Sequence, residues 1–156
     1  MPILTAATIV TALTRRGESL AVAESITGGG LGAAITSVPG SSEVFAGGII
    51  AYQLSVKRDL LTVPSSLIEK CGVVSEEVAV AMADGLLKLF DTTWAIATTG
   101  VAGPGSSSGV AAGTVWIAIR GPVNLSTELA IQGGREIVRN ASISSAITTF
   151  ARILAP

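Results

Sequence analysis

A glycine-rich turn that carries two hydroxyl side chains is the stretch of this chain best suited to chemistry. Residues 20–34 read Leu-Ala-Val-Ala-Glu-Ser-Ile-Thr-Gly-Gly-Gly-Leu-Gly-Ala-Ala, so an apolar run leads into Ser25 and Thr27 and then into a cluster of glycines that begins with Gly28 and Gly29. We expect a buried strand that turns into a helix N-terminus, where free N–H groups and the helix dipole would favour an anion or an oxyanion. The glycines would let a ligand approach the backbone. The alternative is a turn in which Ser or Thr only caps the helix.

Few side chains in this chain could act as a base near neutral pH, because it contains no histidine. Neither a Ser-His-Asp triad nor a histidine-ligated zinc site can form, and the single cysteine, Cys71, excludes disulfides within the chain. A base must therefore be a lysine, a carboxylate or a tyrosine. Lys70 and Lys88 are interpreted as surface charges, whereas Lys57 follows the end of a predicted strand. To act as a base, Lys57 would need its pKa lowered from about 10.4 towards 7 or 8, which burial can provide.

The composition indicates an apolar globular protein with a single domain, residues 1–156. Of the 156 residues, 49% are hydrophobic and 13% are charged, and the net charge is −1. No basic stripe is visible, so nucleic acid is not expected as a partner. No apolar run reaches the roughly 18 residues of a membrane span, and the N-terminus lacks the pattern of a signal peptide. We therefore expect a cytoplasmic protein that does not bind a membrane.

Hydrophobic periodicity predicts strands that alternate with helices. Helices are predicted over 3–16, 30–37 and 76–90 and from 135 onwards, with a connecting piece at 67–71; strands are predicted over 19–23, 45–52, 93–98, 113–119 and 125–131. The residues predicted to form the buried stripe of the third helix are Val78, Met82, Leu86, Leu89 and Phe90. The strand at 45–52 is apolar throughout, which is consistent with a sheet covered on both faces. The pattern predicts a three-layer α/β sandwich on a mostly parallel sheet with one antiparallel strand.

Three separate segments are expected to meet at one edge of this sheet. Ligands of α/β sheets bind beyond the carboxyl ends of parallel strands. Here those ends carry the turn at Ser25, the pair Tyr52 and Lys57, and the loop 99–105. Tyr52 could equally be a core ring, and Arg135 could bind phosphate at the start of the last helix or remain solvated on its surface. A phosphate loop is excluded, because neither glycine loop continues into the Lys-Ser/Thr pair that it requires.

Five short motifs occur along the chain in a fixed order. They are Ala23-Glu-Ser-Ile-Thr-Gly-Gly29, the pair Tyr52 and Lys57, Gly72-Val-Val-Ser-Glu-Glu77, Thr99-Gly-Val-Ala-Gly-Pro-Gly105 and Gly113-Thr-Val-Trp116. In this order they resemble the CinA C-terminal domain family, and the resemblance covers essentially the whole chain. It implies a three-layer α/β/α fold with a five-stranded mixed sheet and homo-oligomers. It also implies an amidohydrolase that converts nicotinamide mononucleotide (NMN) to nicotinate mononucleotide and ammonia in pyridine nucleotide salvage.

The resemblance also assigns roles to individual residues. Ser25 resembles the family's nucleophile, Lys57 its base, and Tyr52 the residue beside them. It implies that neutral Lys57 takes the Ser25 proton, directly or through Tyr52, as Ser25 attacks the carboxamide carbon, and that backbone N–H groups of the glycine turn stabilise the oxyanion. The residues expected at the substrate are Thr27, Gly28, Gly29, Thr99, Gly100, Gly103, Pro104, Gly105 and Arg135, with the Gly-Pro-Gly loop and Arg135 on ribose and phosphate. No metal or other cofactor is expected.

The chain departs from the family's pattern at several positions. Ile26 stands where the family usually has Cys, Val73 replaces a common Ala, and Gly134 replaces the Asp of Gly-Asp-Arg. The loop continues to Gly109-Val-Ala-Ala-Gly113 where the family has Lys-Pro-Val-Gly, which removes a cation from the substrate side. The alternative function is therefore a diverged, non-catalytic nucleotide-binding or regulatory module of the same fold.

Overall fold

A computed structural model describes residues 3–155 of the chain. The helices are α1 (Ala6–Arg16), α2 (Gly30–Thr36), α3 (Leu54–Asp59), α4 (Ser65–Cys71), α5 (Glu76–Phe90) and α6 (Arg135–Leu154). The strands are β1 (Leu20–Glu24), β2 (Phe45–Ile50), β3 (Trp94–Gly100), β4 (Thr114–Arg120) and β5 (Leu125–Ala130). The expectation that the N-terminus is not a signal peptide rests in part on Met1 and Pro2, which lie outside these residues. None of the helices described is long and apolar enough to cross a membrane.

The strands of residues 3–155 form one mixed sheet in the order β2-β1-β3-β4-β5. β1 pairs in parallel with both β2 and β3, whereas β4 pairs antiparallel with both β3 and β5. The predicted five-stranded mixed sheet with one antiparallel strand is therefore confirmed. The description "mostly parallel" holds for the directions of the strands but not for their pairings, because β4 lies between β3 and β5 and makes half of the pairings antiparallel.

Helices cover both faces of the sheet. Leu20 and Val22 of β1 belong to the apolar core that includes residues of α1, α2 and α6, whereas Ala21 and Ala23 belong to the core formed with α4 and α5. This alternation follows from the two-residue period of a strand. Because each face of the sheet is buried under helices, the predicted three-layer α/β/α sandwich is confirmed.

Local sequence signals set the ends of two helices as predicted. α5 begins after Ser75, whose side-chain oxygen accepts a hydrogen bond from the N–H of Val78 at 3.3 Å. Glu76 and Glu77 follow in the first turn, where the positive end of the helix dipole stabilises carboxylates. α1 ends at Gly17, which has a left-handed φ of 63° that glycine adopts without strain.

Three local predictions from the sequence are wrong. The sheet is covered on both faces as expected, but the prediction that β2 is covered throughout fails, because β2 is an edge strand whose residues alternate between half-buried and exposed. The segment 67–71 belongs to helix α4, which follows Pro64, a residue whose fixed φ is compatible with a helix start. Leu89, predicted in the buried stripe of α5, is 52% exposed, whereas the ring of Phe90 lies next to Gly47 of β2.

Candidate functional site

The turn after β1 holds Ser25 at the carboxyl end of the sheet. The N–H of Ser25 donates to the carbonyl oxygen of Thr98 on β3 at 3.0 Å, and the hydroxyls of Thr27 and Thr98 lie 2.8 Å apart. Gly28 and Gly29 then have φ values of 57° and 98°, a region that favours glycine. The turn is thus anchored to β3 before the chain enters α2.

Helix α3 brings Lys57 to Ser25. Although α3 has only six residues, the Lys57 side chain is 1% exposed, whereas the other two lysines are exposed as predicted. Its amine nitrogen lies 2.9 Å from the hydroxyl oxygen of Ser25, 2.7 Å from the carbonyl oxygen of Ala51 and 3.5 Å from that of Tyr52. Within residues 3–155 no carboxylate forms an ion pair with it. Burial lowers the pKa of the Lys57 amine from 10.5 to about 8, so the neutral form is accessible in mildly basic solution.

Ser25 and Lys57 line a cavity of about 410 Å³, a volume typical of a small-molecule site. The residues predicted for the site that line it are Ser25, Tyr52, Lys57, Thr99, Gly100, Gly103, Pro104, Gly105 and Arg135. The structure therefore brings together the three chain segments that were expected to meet. Ile26 and Val73, two of the positions that depart from the family's pattern, line the same cavity.

Tyr52 and Arg135 form one wall of the cavity. The guanidinium of Arg135 donates to the hydroxyl oxygen of Tyr52 at 3.1 Å and to the carbonyl oxygen of Gly103 at 2.8 Å. The Tyr52 side chain is exposed, and the hydrogen bonds of this residue to Lys57 involve its backbone carbonyl. Of the two routes that the resemblance left open, direct or through Tyr52, the direct one matches the 2.9 Å contact between Lys57 and Ser25.

The cavity has a positive electrostatic character. Lys57 and Arg135 line it, and no Asp or Glu does so among the residues described. Ser106, Ser107 and Ser108 also line it and add hydroxyl groups that can donate or accept hydrogen bonds. A cavity with cations and neutral hydroxyls favours an anionic ligand over a cationic one.

Glu24, the residue before Ser25, occupies the helix end where the sequence predicted an anion site. Its carboxylate is buried and accepts hydrogen bonds from the N–H of Leu31 at 2.7 Å and of Gly32 at 3.0 Å. The chain's own carboxylate thus stabilises the positive end of α2. The prediction of free N–H groups there is wrong. A signal was present, since Glu24 shares the strand parity of Val22 and must face the layer that contains α2.

Three residues predicted at the substrate, Thr27, Gly28 and Gly29, do not line the cavity. Thr27 is fully buried, and its hydroxyl contacts β3. A Cβ atom added at Gly28 would lie 3.2 Å from the guanidinium of Arg139, and one added at Gly29 would lie 3.1 Å from the side chain of Ile50. The Thr27 hydroxyl and these two glycines therefore face β3, α6 and β2 and shape the turn. This leaves only backbone atoms of the three residues for the contact with substrate that the sequence predicted.

Arg139 is a further residue that the sequence reasoning did not single out. Its side chain is partly buried and donates to the carbonyl oxygens of Ile26 at 3.2 Å and Thr27 at 3.1 Å. The available signal was its spacing, because a residue four positions after Arg135 lies on the same face of a helix. Arg135 and Arg139 thus reach different parts of one site.

The fold and the cavity together define an α/β domain with a buried lysine–serine contact at the carboxyl end of its central strands. The family model of the CinA C-terminal domain matches residues 4–154. The chain therefore belongs to the CinA C-terminal domain family, as the motifs indicated.

Curated relatives in this family are longer proteins. A CinA-like protein of Synechocystis sp. is 46% identical over an alignment of 156 positions, which covers 96% of this chain and 38% of that protein. A CinA-like protein of Synechococcus sp. is 44% identical over 146 residues, which cover 91% of this chain and 35% of that protein. The chain thus spans about a third of the length of the curated relatives it matches.

Solved structures agree over the full fold. The competence/damage inducible protein CihA from Agrobacterium tumefaciens has a TM-score of 0.92 and 32% identity, covering 99% of this chain and 100% of that chain. A competence-damaged protein (CinA) superfamily protein from Enterobacter cloacae has a TM-score of 0.94 and 25% identity, covering 99% and 95%. The domain described here therefore resembles known CinA-family structures throughout its length.

Proposed function

We propose that this chain is an amidohydrolase that deamidates NMN to nicotinate mononucleotide and ammonia, with Ser25 as nucleophile and Lys57 as base. The observation that carries the proposal is the 2.9 Å contact between the Lys57 amine and the Ser25 hydroxyl, made by a lysine whose pKa burial lowers to about 8. The names of the matched proteins refer to competence and damage, so the choice of NMN rests on the family resemblance and on the chemistry of the cavity.

In the proposed reaction, neutral Lys57 accepts the hydroxyl proton of Ser25 while the Ser25 oxygen bonds to the carboxamide carbon. The tetrahedral intermediate collapses with cleavage of the C–N bond, and the proton held by Lys57 passes to the leaving nitrogen, which departs as ammonia. A water molecule then attacks the acyl-enzyme and gives a proton to Lys57. Cleavage of the ester bond returns that proton to Ser25 and releases nicotinate mononucleotide.

The donors for the oxyanion in this proposal are backbone N–H groups beside Ser25. Within residues 3–155 the N–H groups of Ile26 and Thr27 donate to no acceptor, and Ile26 lines the cavity. N–H groups fixed in place before the reaction stabilise a developing oxyanion strongly. The proposal thus moves the expected donors from the N-terminus of α2, which Glu24 occupies, to the residues directly after Ser25.

The phosphate and ribose of NMN would bind on the wall that Arg135 and Gly103 form. Arg135 is a permanent cation whose planar guanidinium suits a phosphate, and it is already held by two hydrogen bonds. The hydroxyls of Ser106, Ser107 and Ser108 supply further donors on the cavity lining. The carboxamide group of the nicotinamide ring would then extend towards Ser25.

A second candidate is the non-catalytic nucleotide-binding or regulatory module. It is favoured by the loop 109–113, which lacks the Lys-Pro pair of the family and leaves fewer cations for the phosphate. This candidate uses the same cavity but requires no proton transfer between Lys57 and Ser25.

The decisive experiment measures ammonia release from NMN and NMN binding by calorimetry for the wild type and Ser25→Ala. The amidohydrolase proposal expects Ser25→Ala to lose turnover by about a thousandfold or more while NMN binding remains. Binding without any release by the wild type would instead support the non-catalytic module. Ser126→Ala, at a serine of β5 outside the cavity, is the matched control.

We also infer that the chain acts in the cytoplasm and forms homo-oligomers, as the sequence and the resemblance led us to expect. Light scattering of the purified protein tests the oligomeric state, and a single-subunit mass would contradict it. Fractionation of producing cells tests the location.

A further inference from the structure

Arg139 contacts the turn after Ser25 from a position outside the cavity. It lies four residues after Arg135 in α6, yet Arg135 lines the cavity and Arg139 does not. Its guanidinium instead donates to two consecutive carbonyl oxygens, those of Ile26 at 3.2 Å and Thr27 at 3.1 Å. It forms no ion pair within residues 3–155. The charge of this partly buried arginine is therefore directed at the backbone of the turn.

These hydrogen bonds fix the orientation of the peptide groups next to the nucleophile. The carbonyl oxygen of Ser25 accepts from the N–H of Gly28 at 3.2 Å, and that of Ile26 accepts from Arg139. Because a peptide is planar and trans, its C=O and N–H point in opposite directions. Holding the carbonyls of Ser25 and Ile26 therefore sets the directions of the N–H groups of Ile26 and Thr27, which have no acceptor within the described chain.

Gly28 makes the approach of Arg139 possible. Its φ of 57° lies in the left-handed region, and an added Cβ would come within 3.2 Å of a guanidinium nitrogen of Arg139. A planar, bidentate guanidinium can hold two neighbouring carbonyls at once, whereas a lysine ammonium is a point charge that would hold them less rigidly. The turn and the arginine are thus matched in shape.

We propose that Arg139 is a positioning residue that holds the turn after Ser25 so that the N–H groups of Ile26 and Thr27 face the developing oxyanion. This inference deepens the proposed amidohydrolase function and rests on it. Arg139 touches neither substrate nor reacting atoms in this role. Its effect falls on the stability of the tetrahedral state and not on the binding of NMN.

The test compares Arg139→Ala and Arg139→Lys with Arg152→Ala, a matched control at an exposed arginine in the last turn of the same helix. The readouts are kcat and KM on NMN, the thermal midpoint, and the affinity for pyridine-3-boronic acid. In the adduct of that probe, the Ser25 oxygen bonds to boron and the hydroxyl proton passes to Lys57, so its affinity reports the tetrahedral geometry. ¹¹B NMR detects the tetrahedral boron directly.

Arg139→Ala is expected to lower kcat by about a hundredfold and boronate affinity by at least about tenfold, with KM within about threefold of the wild type. Arg139→Lys should recover part of both losses, and Arg152→Ala should change neither. The positioning role is overturned if kcat and boronate affinity of Arg139→Ala both stay within about threefold of the wild type. It is also overturned if they fall only in proportion to the fraction of the protein that is folded. If the wild type releases no ammonia but binds the boronate in an Arg139-dependent way, the positioning role stands and the NMN function fails.

Discussion

The amine nitrogen of Lys57 lies 2.9 Å from the hydroxyl oxygen of Ser25, although the two residues are 32 positions apart in the sequence. The parallel pairing of β1 with β2 brings them together, since the N–H of Ala51 donates to the carbonyl oxygen of Glu24 at 2.7 Å, one residue before Ser25. Helix α3 then turns the chain back, so that the amine reaches the carbonyl of Ala51 as well as Ser25. The contact thus depends on one strand pairing and one short helix.

Deamidation of NMN is expected to depend on the protonation of Lys57. Because the proposed mechanism uses the neutral amine as the base and its pKa is about 8, kcat/KM should rise as the pH increases through about 8 and then level off. Lys57→Ala should lower kcat by at least about a hundredfold and abolish this rise, whereas Lys70→Ala, at an exposed lysine, should keep it. A rise centred below about pH 6.5 would identify a different base.

The buried amine should also make the stability of the fold depend on pH. The pKa of Lys57 is about 8 in the folded chain and about 10.4 in an unfolded one, so the unfolded chain binds more protons between these values. The free energy of unfolding should therefore increase with pH from about 8 to 10.4, by up to about 3 kcal/mol, and show no pH dependence from Lys57 below that window, where the amine is charged in both states. Urea unfolding of the wild type and Lys57→Met at several pH values measures the difference. Parallel pH dependences of the two proteins would contradict the burial of this amine.

Tyr52→Phe tests whether the Tyr52 hydroxyl relays a proton or only forms part of the cavity wall. The Tyr52 hydroxyl is bonded to Arg135, and Lys57 contacts Ser25 directly, so removal of the hydroxyl should leave kcat within about fivefold of the wild type. KM should rise modestly, because Arg135 loses one of its two anchors. A loss of kcat of a hundredfold or more at unchanged KM would restore the relay that the family resemblance left open.

Arg135→Ala tests the side of the cavity to which the phosphate is assigned. If Arg135 binds the phosphate, its removal should raise KM for NMN by about ten- to a hundredfold, since a charge-assisted hydrogen bond contributes about 1.5–3 kcal/mol. The matched substrate is nicotinamide riboside, which lacks the phosphate. Its KM should rise much less in Arg135→Ala than the KM for NMN. Equal increases in KM for the two substrates would mean that Arg135 only holds Tyr52 and Gly103 in place and does not bind the phosphate.

Much of the sheet and of the cavity could be predicted from the sequence. Four of the five strands described are mainly apolar runs bounded by turn residues. Polar or glycine-rich segments follow the ends of three strands that run in one direction. This is why the sequence alone places Ser25, Lys57 and the loop 99–105 at one edge of the sheet. The absence of histidine directed attention to the lysines, and Lys57 is the one of the three that is buried.

The residues that the sequence did not reveal are those whose partners are backbone groups. Glu24 accepts hydrogen bonds from two N–H groups of α2, and Arg139 donates hydrogen bonds to two carbonyl oxygens of the turn. Periodicity indicates which face of an element is buried, but it does not say which backbone groups lie opposite. That depends on how α2 and α6 are docked on the sheet, which is a tertiary property. The docking of these elements also explains Gly28 and Gly29. From the sequence they indicated a bound ligand, whereas in the structure they leave room for the side chains of Arg139 and Ile50.

The packing of α5 against Leu61, in the segment after α3, gives the last prediction. A Cβ atom at Gly85 would overlap the carbonyl oxygen of Leu61 and lie 2.7 Å from its carbonyl carbon. Backbone atoms cannot move aside as a flexible side chain does, so the segment after α3 would have to shift. That segment is tied to Lys57, because the N–H of Val63 donates to the Lys57 carbonyl at 3.1 Å.

Two effects of opposite sign therefore compete in Gly85→Ala. Helix propensity favours alanine by about 1 kcal/mol, whereas overpacking against a fixed backbone costs about 1–3 kcal/mol or more. The steric term should win because the overlap is with main chain, so the variant should lose stability in urea unfolding and also lose activity as Lys57 is displaced. Gly134→Ala is the matched control, since nothing lies within 4 Å of its added Cβ and its φ is −73°. A Gly85→Ala protein more stable than the wild type would show that α5 can move away from Leu61 without cost.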